Sequence, residues 1–152
     1  MTYKTRIAAW ALSALAWGNA SDASAQNTAY SWSNLPKIQQ PVFRKDTVRI
    51  TAFGALADGH TLNTKAINQA IASCSQKGGG VVLVPAGLWI TGPVVMKSNV
   101  NLHLQEGSLL LFTTDKSQYA ITEGFYEGKA AARNESPISG KDLENVAITG
   151  KG

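Results

Sequence analysis

The stretch ITAFGALADGHTLNTKAINQAIASCSQKGGGVVLVPAGLWITG, residues 50–92, constrains this chain most. It runs from a Gly/Asp-rich turn into a short amphipathic helix, a triple-glycine stop and a β-rich run. Such an order suits the start of a parallel β-solenoid, in which one helix closes the end of the core and short strands follow. Asn63 is the expected N-cap of a helix over Thr64–Gln76, offering a side-chain acceptor to the first-turn N–H groups. Ala66, Ile67, Ala70, Ile71 and Cys74 recur at helical spacing as one narrow apolar stripe. Lys77 suits the negative helix end, and Gly78-Gly79-Gly80 supplies a left-handed stop. A small-residue stripe of this kind packs closely on something flat, so the helix reads as a lid over a β-core.

After the helix only short strands follow, at residues 81–84, 88–91, 94–96, 100–104 and 109–112. The gaps between them are too short for crossover helices. Two architectures remain: an antiparallel sandwich, or a coil that returns each strand beside its equivalent one turn earlier. An internal echo favours the coil. Asn99-Val100-Asn101-Leu102 and Asn145-Val146-Ala147-Ile148 share the pattern Asn-Val-x-aliphatic at an offset of 46 residues, or twice 23. Both values fall in the roughly 20 to 50 residue range of solenoid repeats.

Ahead of the helix, residues 47–53 alternate as one strand and 54–61 form a turn-rich loop. Residues 26–46 read as an extended leader tethered by Trp32 and Phe43. Residues 1–25 read as a signal peptide rather than an ordinary N-terminal helix. Lys4 and Arg6 precede an apolar run at 7–17, and Ala23-Ser24-Ala25 gives a cleavage site before Gln26. The run is too short for a membrane span, which takes about 20 residues. The protein is therefore expected to be secreted or periplasmic, with no membrane attachment after cleavage. Residues 47–152 form the remaining unit, expected to hold the cap and first coils of a domain that continues beyond Gly152.

Removing residues 1–25 lowers the net charge from +4 to +3 and leaves the charges scattered. No basic patch with interleaved aromatics is visible, so nucleic acid is not an expected partner. Cys74 is the single cysteine, which excludes an intrachain disulfide and suits a buried thiol. Residues 112–143 break the strand pattern with a long polar excursion, expected to be solvated with a short helix at 129–133.

The runs FGALADGHTLNTKAINQAI, GGGVVLVPAGLWITGPV and SNVNLHLQEGSLLLF together resemble the N-terminal part of glycoside hydrolase family 28. This is the polygalacturonase family of the pectin-lyase-like superfamily. The tail FYEGKAAARNESPISGKDLENVAITGKG is similar to bacterial members, and the resemblance covers about residues 48–152. Its first half is shared with other β-helix proteins, including some pectate lyases and phage tailspikes, so the family choice rests mainly on the tail. The resemblance implies an all-β fold, a right-handed parallel β-helix with an N-terminal capping helix. It implies inverting hydrolysis of α-1,4-galacturonosyl bonds in pectic polysaccharide, without metal or cofactor, by a protein that is monomeric when full length. Inverting glycosidases hold two carboxyl groups about 6.5 to 9.5 Å apart, with room for the attacking water.

In the family these carboxylates come from Asn-x-Asp and Asp-Asp motifs, supported by Gly-His-Gly and Arg-x-Lys, and none of the four occurs here. Asn63-Thr64-Lys65 lacks the aspartate, and Gly59-His60 is followed by Thr61. No catalytic residue is therefore carried over; they are expected beyond Gly152. His60 and His103 read as structural, Asp58 as a turn carboxylate that caps backbone N–H groups, and Asp142 and Glu144 as solvated. Within the excursion, Lys129 and Arg133 are the candidates to pair with galacturonate carboxylates, and Tyr126 to stack on a sugar ring. A lyase of the same architecture and a non-enzymatic polysaccharide-binding β-helix are the alternatives. Residues 26–152 alone are expected to be poorly soluble and inactive, since a solenoid unit needs its neighbour to bury its apolar face.

Overall fold

Inward-facing Val82, Val84, Val100 and Leu102 are fully buried, while their strand neighbours Val81, Leu83, Asn101 and His103 face outward and are half-buried. This period-two alternation in short strands, without crossover helices between them, leaves stacking as the way to close a core. The computed structural model describes Leu35 and residues 37–152, so the signal segment, its cleavage site and Trp32 lie outside the described residues. Residues 39–152 fold as one unit.

The strands are β1 (Thr47–Arg49), β2 (Asp58–Leu62), β3 (Gly80–Val84), β4 (Gly87–Thr91), β5 (Val94–Val95), β6 (Val100–Leu104) and β7 (Ser108–Phe112). They continue with β8 (Ile121–Tyr126), β9 (Lys129–Asn134), β10 (Ile138–Ser139) and β11 (Ala147–Gly150). Helix α1 spans Thr64–Gln76 between β2 and β3. Three sheets are parallel, ordered β1-β3-β6-β11, β2-β4-β7 and β5-β10, and the chain visits them in turn. The result is the parallel β-helix expected from the sequence; the sandwich alternative falls. Among the described residues no helix is long and apolar enough to cross a membrane.

Helix α1 occupies the level of the first coil at which the β5-β10 sheet has no strand. Its stripe of Ala66, Ile67, Ala70, Ile71 and Cys74 is buried against the core, and burial pushes the Cys74 thiol pKa upward. Beside that stripe runs a polar row. The Gly92 N–H donates to Thr64 Oγ1 (2.6 Å). Asn68 accepts from the Val95 N–H (2.8 Å) and donates to the Pro93 carbonyl (2.9 Å), and Ser75 donates to the Ser98 carbonyl (3.0 Å). The helix thus satisfies a strand edge that would otherwise be left open. It ends as its sequence suggests. The Gly78 and Gly79 N–H groups turn back to Ser75 and Cys74 with φ of 92° and 91°, and Arg44 donates to the Lys77 carbonyl.

Several local expectations need correction. The strand expected over 47–53 stops at Arg49. A 3-10 turn at Ile50–Phe53, closed by left-handed Gly54, follows and carries Ile50 into the core. Part of the expected loop over 54–61 is strand β2, recruited irregularly onto β4. Asn63 is not a side-chain N-cap. Its buried amide accepts from the Leu56 N–H and donates to the carbonyls of Leu56, Thr61 and Ile90, tying the entry loop to β4. The short helix expected at 129–133 is strand β9. The 46-residue echo is one coil, not two of 23, because Asn101 and Leu102 pair directly with Ala147 and Ile148.

That echo has a structural cause. Asn99 and Asn145 both adopt left-handed backbone (φ 65° and 53°) at the corner entering the same sheet, and Asn145 Nδ2 donates to Asn99 Oδ1 (3.2 Å). Asparagine tolerates this conformation where β-branched residues do not. Asn145 also exchanges two hydrogen bonds with the Val42 backbone, which pins the leader. Trp89, buried on the inner face of β4, satisfies its indole N–H on the Pro85 carbonyl (2.8 Å).

Asp58 sits in the turn that opens β2. It accepts from the Thr61 hydroxyl (2.6 Å) and from the backbone N–H groups of Thr61 (2.8 Å) and His60 (3.0 Å). Those bonds, the Thr61 hydroxyl first, lower its pKa from 3.8 to about 2. A lowered carboxylate pKa adds stability that is complete above the ordinary value and lost as pH falls through the lowered one. Asp58→Asn should therefore melt below the parent at neutral pH, and the gap should close between about pH 4 and pH 2 in thermal scans. The inward/outward assignment makes a second prediction. Leu102→Ala should cost about 2 to 5 kcal/mol in chemical denaturation, and Leu109→Ala, on the outer face of β7 and 57% exposed, should cost less than about 1 kcal/mol. Equal costs would mean the register is wrong.

Candidate functional site

The excursion after β7 is a built element. Asp115 caps a 3-10 turn at Lys116–Gln118 by accepting from the Ser117 N–H (2.9 Å) and from Gln118 Nε2 (3.3 Å). Those partners, Ser117 foremost, lower the Asp115 pKa. The Tyr119 hydroxyl donates to the Thr113 carbonyl (2.8 Å), and the Glu135 N–H closes the base onto the Ala120 carbonyl (2.7 Å). From that root β8 and β9 rise as an antiparallel hairpin. Its two-residue loop, Glu127-Gly128, has positive φ at both positions (50° and 80°), the geometry that matches strand twist in tight hairpins. The chain then rejoins the helix as β10, beside β5.

The hairpin register brings the three candidate residues together. Tyr126 lies opposite Lys129, Gly124 opposite Ala131 and Thr122 opposite Arg133, and directly opposed residues share a face. Arg133 reaches along that face past Gly124 and sets its guanidinium over the Tyr126 ring, 5.8 Å from the centroid. Tyr126 and Arg133 thus form a cation–π pair, with Lys129 opposite Tyr126 in the ladder and all three exposed. The exposed guanidinium keeps N–H groups able to meet a carboxylate in bidentate fashion. One face of the Tyr126 ring, expected from sequence to stack on sugar, is taken by Arg133. The opposite hairpin face carries Ile121, Glu123 and Phe125.

Away from the hairpin, both histidines contact polar neighbours. His60 contacts its own turn, with Nδ1 3.0 Å from the Asp58 carbonyl and Nε2 3.3 Å from its carboxylate. His103 lies on the outer face of β6, with Nδ1 2.8 Å from Thr149 Oγ1. Asp142 and Glu144 are exposed at the corner before β11. Among the described residues no three His, Cys, Asp or Glu side chains gather as a metal site. Sequence reading missed the hairpin that unites the candidates. Its available signal was the Glu-Gly pair flanked by Phe-Tyr and Lys.

No protein-family model matches the chain. It is 36% identical over 115 residues to a probable polygalacturonase of Vitis vinifera, an alignment covering 70% of this chain and 23% of that protein. An exopolygalacturonase of known structure from Thermotoga maritima matches with a TM-score of 0.67 at 34% identity, over 74% of this chain and 25% of that one. A family 28 exopolygalacturonase from Yersinia enterocolitica gives 0.63 at 37% identity, over 70% and 20%. The chain thus spans about a quarter or less of the length of these relatives. Over most of its own length it is homologous to the family 28 polygalacturonases and shares their right-handed parallel β-helix.

Proposed function

We propose that this chain is the cap and first coils of an exported, pectin-degrading glycoside hydrolase that cleaves α-1,4-galacturonosyl bonds with inversion. The observation that carries the reading is 34–37% identity to two exopolygalacturonases over 70–74% of the chain. Attack at chain ends is the mode proposed, in keeping with those two relatives. The carboxylates that protonate the leaving oxygen and activate water come from residues outside this chain, and cleavage after Ala25 delivers the protein to the periplasm or medium.

The chain's own contribution to the site is the hairpin. Tyr126, Lys129 and Arg133 present two cations and an aromatic ring on one face. They bind the carboxylate of a galacturonosyl unit near the reacting bond, Arg133 through its bidentate edge and Lys129 as a point charge.

The test is an assay of the full-length protein on polygalacturonate. Reducing ends should accumulate without the ultraviolet absorbance of an unsaturated product; that absorbance would instead identify a lyase. Arg133→Ala should raise KM about two- to fivefold, in line with losing one solvent-exposed charge pair. An unchanged KM would remove the hairpin from substrate binding.

A further inference from the structure

The outer face of the β1-β3-β6 sheet holds an open groove of about 900 Å³, none of whose lining residues lies on the hairpin. Outward positions of a solvated sheet are normally polar, yet two here are Val81 and Leu83, which form an apolar floor. Phe53, lifted by the 3-10 turn that ends β1, makes one wall. The rim carries two cations, Arg49 at the end of β1 and Lys77 at the end of α1, beside the imidazole of His103 on β6. No carboxylate lines the groove.

Register places Arg49, Leu83 and His103 in one row across three strands, about 4.8 Å per step. Thr149 donates to Asn101 Oδ1 (2.9 Å), so its oxygen accepts from His103 Nδ1–H (2.8 Å), and the imidazole is held in a fixed orientation at the rim. Arg44 is paired with Asp46 (2.8 Å) and is not part of the lining.

We infer that this outer face is a second carbohydrate-binding surface that takes a carboxylated polysaccharide. An apolar floor suits the C–H face of a pyranose ring, and a rim of cations without carboxylates suits uronate groups along the chain. The inference rests on the reading of the protein as pectin-degrading. It adds a place where polymer is held away from the hairpin.

The experiment compares binding of the full-length protein to de-esterified polygalacturonate and to its methyl ester, by affinity electrophoresis at low ionic strength. Arg49→Ala/Lys77→Ala should bind the acidic polymer about tenfold more weakly, as expected for two exposed charge pairs, on the parent and on the Arg133→Ala background alike. Parent and double variant should bind the methyl ester equally and weakly. Parental affinity of the double variant for the acidic polymer, or parental binding to the ester as tight as to the acid, would overturn the proposal. Reducing-end release is followed in the same preparations. Groove-dependent binding without release would support the second surface while refuting the hydrolase reading.

Discussion

Everything in this fold depends on closing the open end of a stack of coils. A parallel β-helix exposes both apolar interior and unpaired backbone at its first rung, and an unsatisfied buried backbone group costs roughly 1 to 3 kcal/mol. Helix α1 meets both demands with two adjacent rows. Ala66, Ile67, Ala70, Ile71 and Cys74 cover the interior, and Thr64, Asn68 and Ser75 take the hydrogen bonds of Gly92, Pro93, Val95 and Ser98. A wholly apolar helix would cover the core and leave that edge unpaired.

Below the lid, register is repeated at the corners. Gly79, Asn99 and Asn145 hold left-handed backbone at equivalent positions, so each coil enters the long sheet at the same angle. Because these corners fix the coil, the length between them is free to vary. The hairpin adds a long excursion between β7 and β10 without shifting the pairing of Asn101 with Ala147. Binding chemistry can therefore be placed on excursions and outer faces while the inner faces stay packed.

What the sequence makes legible follows the same division. Periodicity revealed the helix at Thr64–Gln76 and its buried stripe, and strong β-branched runs revealed β3 to β7, because there local preference and tertiary packing agree. The polar row was less visible: Thr, Asn and Ser on a helix look like an ordinary solvated face until the facing edge is known. Lys129 to Arg133 misled because Lys, Ala and Arg favour helices; the ladder with β8 overrides that weak preference. Asn63 looked like a cap because its neighbours begin a helix, but its buried amide bonds instead to the backbone of Leu56, Thr61 and Ile90. The candidate residues Tyr126, Lys129 and Arg133 were identifiable by type; their shared face required the register of the hairpin.

The most direct measurement is amide hydrogen exchange on the parent protein and on Asn68→Ala. If the helix side chains stand in for a missing strand, the Val95 amide is protected in the parent and loses at least about tenfold of that protection in the variant. The Gly92 amide, held by Thr64, and the Leu102 amide in the core should keep theirs. An unchanged Val95 amide in a folded Asn68→Ala protein would contradict the account. It would mean that apolar cover alone closes the end of the coil.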